Sequence, residues 1–303
     1  MSEYIVKVQN LSRQFGPQVA LRDVSFVIQP GKVYGLVGAN GAGKSTLIKH
    51  LLGLYQAQTG WVRVLGKDPA EDPVGVLSQI GYLSEDRDLP AWMRVDEFLR
   101  YTAAFYPNWD WDYAMELLVV FQLDAQKKVS QLSRGGKSQA GLIAAVAHRP
   151  KLLLLDEPSS GLDQLVRRDI LNEIVNAVSD EGRTVIFSSH LLDEVERMSD
   201  SLLMLQNGQL TLQGDLDEIK SQHHSLSVRW PSNQPTPILP EAWSAEKTGD
   251  DWWLILEGDN LQVQHAVTIY GGEILTQRLS SLQEIFVSRA RVRQERRSMK
   301  EKK

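Results

Sequence analysis

The sequence predicts an α/β protein: a buried, largely parallel sheet interrupted by a helical insert and followed by a small α+β appendage. Three observations carry this. The apolar, strand-length run KVYGLVG (Lys32–Gly38) passes through the glycine-rich GANGAGKST into LIKHLLGLY, whose apolar spacing is helical. A second all-apolar strand, KLLLLDEP (Lys151–Pro158), ends in an acidic pair. After it, RRDILNEIVNAVSD, TVIFSSH, LLDEVERMS and SLLMLQNG alternate between helical and strand patterns, which implies parallel pairing.

The remaining elements follow in chain order. EYIVKVQNLSRQF alternates apolar and polar residues, as does DVSFVI before the turn PGK, so both read as strands. From about Leu89 to His148 the period becomes helical, in VDEFLRYTAAFY, WDYAMELLVVFQL and AGLIAAVAHR. Ser221 to Pro240 is polar and carries prolines (SNQPTPILP), which predicts a linker or long loop. Beyond it, DWWLILEG, LQVQHAVTIY, GEILTQ and SLQEIFVSRA suit a small β/α appendage, and no internal repeat is visible. The expected organisation is one domain over residues 1–220, with a helical subdomain at about 88–150, and an accessory region over 221–303.

Composition bounds the function. A chain of 303 residues with 42% hydrophobic content is long enough for one large core or two smaller ones. The formal net charge of −5 argues against nucleic acid as a partner. The absence of cysteine removes disulfides and thiolate metal sites and suits a reducing compartment. No signal peptide opens the chain, and apolar runs such as Leu117 to Phe121 fall far short of the roughly 20 residues of a membrane helix. The chain is therefore expected to be soluble by itself.

Gly38 to Ser45 fits G-x-x-x-x-G-K-[ST] in the strand–loop–helix context that gives the pattern meaning. The backbone N–H groups of Gly38, Asn40, Gly41, Ala42 and Gly43 make a concave cradle for phosphate at a helix N-terminus. Lys44 is expected to reach the β and γ phosphates, Ser45 to ligate Mg²⁺, and Thr46 to offer a hydroxyl to the α phosphate. Asp156 leaves the leucine strand where a carboxylate falls beside such a loop and holds Mg²⁺ through its waters, and Glu157 is placed to orient or deprotonate an attacking water.

With these motifs in order, the chain resembles the ATP-binding cassette (ABC) ATPases over roughly Glu3 to Asp217. Resemblance implies a P-loop NTPase fold with N-terminal antiparallel strands and an inserted helical subdomain. It explains the glycine pair in QLSRGGKSQ: LSRGG, Leu132 to Gly136, is similar to the family signature that opens a helix and contacts the nucleotide held by a second subunit. Ser133, Arg134, Gly135 and Gly136 are then nucleotide contacts made across a dimer, with Arg134 in place of the usual first glycine and Gly136 in place of the glutamine. Ser160 to Asp163 look like the family's D-loop, His190 like its switch histidine at the γ-phosphate, and Phe15 like the aromatic that stacks on adenine. In IGYLSEDRD the family's glutamine, which touches Mg²⁺ and the attacking water, is replaced by Glu85, an anionic ligand brought near the γ-phosphate.

The resemblance implies an ATP-hydrolysing subunit that closes as a homodimer or heterodimer around ATP and Mg²⁺, drives a separately encoded permease, and sits on the cytoplasmic face of the membrane through it. Arg134, Glu85 and FYPNWDWDYAMELL together resemble bacterial exporter ATPases of the bacitracin or acetoin type. The alternative is a mechanical ABC ATPase acting on ribosomes or DNA. Against it, fewer than about 100 residues without heptads separate loop and signature, and the chain has one cassette. Outside the resemblance, Trp230, Trp243, Trp252 and Trp253 read as packing for the appendage. The tail RARVRQERRSMKEKK, with eight Lys or Arg against two Glu, reads as a solvated helix end or as a contact for a membrane or permease.

Overall fold

The structure, a computed structural model, describes residues 4–179, 182–230, 242–248 and 251–289. The chain divides into two compact units, Met1–Gln213 and Gly214–Lys303. In chain order the first unit carries β1 (Val6–Phe15), β2 (Gln18–Ile28), β3 (Val33–Val37), α1 (Lys44–Leu51), β4 (Thr59–Val64), α2 (Pro73–Leu77), β5 (Ile80–Leu83), α3 (Val95–Ala103), α4 (Trp111–Val120) and α5 (Arg134–Val146). It continues through β6 (Leu152–Leu155), α6 (Gln164–Ser179), β7 (Thr184–Ser189), α7 (Leu192–Met198), β8 (Ser201–Gln206) and β9 (Gln209–Asp215).

β1 pairs antiparallel with β2 on one side and β4 on the other. The larger sheet runs β5-β6-β7-β3-β8-β9, and β5, β6, β7, β3 and β8 are parallel neighbours. A parallel sheet is covered on both faces, so its central strands need no polar face. Accordingly every residue of β3, β6, β7 and β8 is buried. Each leucine of β6 is fully enclosed, a burial worth about 1.5–3 kcal/mol per side chain. The short strand β5 and the hairpin partner β4 carry too little alternation to be read from sequence alone.

The three helices α3, α4 and α5 form the insert. A tyrosine anchors it: the Tyr113 hydroxyl of α4 donates to Glu173 of α6, while the Arg149 guanidinium lies 3.7 Å from the Tyr113 ring and 2.8 Å from Asp110. Burial and the Glu173 carboxylate raise the Tyr113 phenol far above its usual range, so the hydroxyl stays a donor.

The second unit holds α8 (Leu216–Ser221), β10 (His223–Arg229), β11 (Ala242–Thr248), β12 (Asp251–Glu257), α9 (Asn260–Ile269), β13 (Glu273–Leu279) and a helix over residues 282–289. Its antiparallel sheet has the order β11-β12-β10-β13. This corrects the linker expected from Ser221 to Pro240, because His223–Arg229 is a central strand. Residues 231–241, which include SNQPTPILP, lie outside the described residues, as does the basic tail from residue 290. The core joins Leu226, Val228, Trp230, Leu254 and Leu256 to Val263 and Val267 of α9. Trp252 meets Trp230 edge to face at 6.4 Å, whereas Trp253, on the opposite face of β12, lies under the Arg278 guanidinium at 5.4 Å.

Candidate functional site

Because β5, β6, β7 and β3 are parallel neighbours, the segments leaving their C-terminal ends share one edge of the sheet. Those segments carry Glu85, Asp156 with Glu157, His190 and the glycine loop respectively. The loop turns into α1 at Gly43, whose φ of +108° is left-handed and whose Cβ, were there one, would stand 2.6 Å from the Ala20 carbonyl. No side chain caps α1 and its first turn contains no acidic residue, so its leading N–H groups are left for an anion. They face a pocket of about 400 Å³ lined by Phe15, Asn40, Gly41, Ala42, Gly43, Lys44, Ser45, Thr46, Glu85 and Glu157. Ala39, inside the glycine motif, lines it too, as do Gln18 and Ala20, which carried no signal in the sequence.

Lys44 is almost wholly buried, and its Nζ donates to the Gly38 carbonyl at 2.8 Å. The same Nζ stands 3.2 Å from Glu157 Oε1, an ion pair whose alignment falls short of a hydrogen bond. The other carboxylate oxygen accepts from His190 Nδ1 at 2.6 Å, which assigns the ring hydrogen to Nδ1. Glu157 has a left-handed φ of +49° and is 5% exposed, so a strained backbone aims its carboxylate between a lysine and a histidine. Ser188, at the end of β7, joins the two acidic residues: its hydroxyl donates to Asp156 Oδ1 at 2.6 Å and accepts from the Glu157 N–H at 2.8 Å. Ser159 and Arg167 both engage the buried Glu194, which braces the next turn of the same loop.

Glu85 is exposed at the rim, and Phe15 packs edge to face on Tyr55 at 5.4 Å with the Arg13 guanidinium 4.6 Å from its ring. Tyr82, at the end of β5, has its phenol pushed up to about 12, first by burial and then by Asp156, Asp86 and Glu85, so it stays neutral there.

The signature residues do not line this pocket. Ser133 caps α5, its hydroxyl accepting from the Gly136 N–H at 3.1 Å, and Gly135 and Gly136 are buried. Asp163 caps α6 by accepting from the N–H groups of Leu165 and Val166. The exposed Arg134 side chain lies across Gly161 of its own chain, with Nη1 2.7 Å from where a Cβ would stand. Within one chain, then, phosphate loop, acidic pair, His190, Glu85 and Phe15 gather at one place, while Ser133, Arg134, Gly135, Gly136 and Asp163 gather at another.

Two hubs escaped the sequence reading. Ser188 stands in FSSH, where two serines closing an apolar strand were a faint signal. Arg87 stands among acids in SEDRD and reads as solvated charge, yet it is 4% exposed.

The sequence profile of the ABC transporter family matches residues 21–160. The chain is 30% identical over 248 residues to the ABC transporter ATP-binding protein YtrB of Bacillus subtilis, covering 78% of this chain and 84% of that protein. It is also 30% identical over 227 residues to the bacitracin transport ATP-binding protein BcrA of Enterococcus faecalis, with 74% of each chain covered. A solved ATP-binding subunit of an ABC transporter superposes with a TM-score of 0.66 at 32% identity, covering 71% of this chain and 92% of that one.

Proposed function

This chain belongs to the ABC transporter family as an ATP-binding subunit with ATPase activity, and from that premise we propose how its residues divide the work. The triphosphate lies on the N–H groups of the loop from Gly38 to Gly43 and of the first turn of α1, with Thr46 beside the α phosphate. Lys44 exchanges Glu157 for the β and γ phosphates, and Phe15 stacks on the base. Glu157, oriented by His190, accepts a proton from the attacking water and directs that water at the γ-phosphorus.

Ser45, Asp156 and Glu85 are an all-oxygen set that suits Mg²⁺, and Asp156 is enclosed with one oxygen already held by Ser188. Bound there, Mg²⁺ would neutralise charge on the phosphate oxygens. Among the described residues no cluster of three His, Cys, Asp or Glu side chains could hold a metal without the nucleotide.

The separation of Ser133, Arg134, Gly135, Gly136 and Asp163 from their own chain's pocket supports a dimer in which they complete the site of a second ATPase subunit, identical or homologous. Among the described residues no helix is long and apolar enough to cross a membrane; membership of the ABC transporter family supports a separate permease that supplies the path. A groove of about 540 Å³ lined by Asp88, Leu89, Pro90, Trp92, Met93 and Tyr101 suits that permease: Trp92 is 72% exposed, and Asp88 is three residues from Glu85. The chain then works on the cytoplasmic face of the membrane, and its likeness to a bacitracin transport protein favours export.

The observation that carries this reading is the Lys44–Glu157 ion pair facing an uncapped helix N-terminus in one pocket. Its test is sedimentation of the Glu157→Gln chain with ATP and Mg²⁺, beside Lys44→Ala. Glu157→Gln should dimerise only with nucleotide and Lys44→Ala should not. A nucleotide-bound Glu157→Gln monomer would overturn the two-subunit site.

A further inference from the structure

Arg87 is buried, and none of its hydrogen bonds goes to a carboxylate. Its Nη2 donates toward the carbonyls of Glu157 at 3.2 Å, Pro158 at 3.2 Å and Ser160 at 3.1 Å, and Nη1 toward the Glu85 carbonyl at 3.3 Å. Its Nε is buried without an acceptor. Three carbonyls of one loop thus converge on a single nitrogen with two hydrogens, and the cation is held there by backbone dipoles. Burial lowers the Arg87 pKa first, and the neighbouring Arg134 lowers it further, with Glu85 and Glu157 opposing. A guanidinium kept in so costly a place calls for a return elsewhere in the fold.

That return is visible in the backbone. Glu157 and Gly161 both have left-handed φ, +49° and +69°, so the loop from 157 to 161 is bent at both ends. Arg87 is itself left-handed, at +51°, which turns its side chain inward beneath that bend. The Arg134 guanidinium covers the Gly161 end from the other direction. Because the carbonyl of Glu157 is gripped, the rotation that sets its side chain between Lys44 and His190 is fixed from beneath.

We propose that Arg87 is a positioning residue for hydrolysis: it pins the loop after β6 so that the Glu157 carboxylate stays aimed at the attacking water, and it ties this loop to the one bearing Glu85. The proposal rests on the assignment of Glu157 above. Arginine is suited to the task because its planar fork reaches several acceptors at once, which a lysine ammonium does only in part.

The test is a double-mutant cycle in the full-length chain, with single-turnover hydrolysis and ATP binding measured for each variant. Arg87→Met should lower the hydrolysis rate about 10- to 100-fold, the usual consequence of misplacing a reacting group by an ångström, with the affinity for ATP within about twofold of the parent. Arg87→Lys, the milder change and the variant least prone to unfold, should recover part of the rate. Added to Glu157→Gln, Arg87→Met should cost nothing further, because its effect runs through the Glu157 carboxylate. Parental rates in both Arg87 variants would overturn the proposal, and so would loss of ATP affinity in parallel with rate, or an undiminished Arg87 effect in the Glu157→Gln background. If Glu157→Gln alone hydrolyses at the parental rate, the assignment of Glu157 fails and takes the proposal with it, an outcome distinct from all the others.

Discussion

Replacing Glu157 by Gln should act on binding and on chemistry in opposite directions. In the free chain Lys44 Nζ lies 3.2 Å from Glu157 Oε1, and both side chains are nearly enclosed, 7% and 6% exposed. Opposite unit charges at that separation attract by about 5 kcal/mol at an effective dielectric near 20. ATP must draw Lys44 from this partner, and the carboxylate that remains repels the incoming triphosphate. A glutamine oxygen still accepts from Lys44, retaining about 1.5–3 kcal/mol as a hydrogen bond to a charged group. The remainder, about 2–3.5 kcal/mol, becomes tighter ATP binding by roughly 30- to 400-fold. Hydrolysis should fall at least ~100-fold, since the water loses its proton acceptor. Isothermal titration with ATP, with and without Mg²⁺, reads the first effect, and quenched single-turnover hydrolysis reads the second. Affinity equal to or weaker than the parent's would show that Glu157 does not compete with the triphosphate for Lys44. A parental hydrolysis rate would show that water activation lies elsewhere.

Ser188→Ala should destabilise the first unit by about 2–4 kcal/mol, because it removes a donor to Asp156 and strands the buried Glu157 N–H; thermal unfolding of the nucleotide-free chain measures it, and an unchanged midpoint refutes it. Glu85→Gln should leave ATP affinity near parental while shifting the Mg²⁺ concentration that half-activates hydrolysis, and superimposable Mg²⁺ titrations would show that this side chain faces away from the metal. His148 is 4% exposed and stacked on Tyr106 at 3.8 Å, and burial lowers its pKa, as it does for His50 and His223. The unfolded chain therefore binds more protons than the folded one once the pH drops below about 6.5, and stability should decline with acidification by at most about 1.4 kcal/mol per pH unit for each histidine. His148→Gln should flatten the dependence of the unfolding midpoint on pH between about 6.5 and 5.5; an identical slope would place the titration elsewhere.

The phosphate loop, the acidic pair and the alternation that makes the sheet parallel are legible in the order of residues alone. In each case the physical demand falls on neighbouring residues: left-handed turns need glycine at Gly41 and Gly43, a buried parallel strand needs four successive apolar residues from Leu152 to Leu155, and a helix start needs donors left uncapped. Features that depend on distant partners emerge only once the chain is folded. His223–Arg229 became a central strand because β12 and β13 pair with it on either side, contacts that its polar, histidine-bearing text does not announce. Arg134 lies across Gly161 of its own chain, a neighbour that the signature text does not announce. Arg87 and Ser188 became hubs because three carbonyls and one carboxylate 32 to 73 residues away were brought to them. A guanidinium or a hydroxyl has the same hydrogen-bonding capacity on the surface as in the core, and only the folded chain brings the acceptors that decide which it will be.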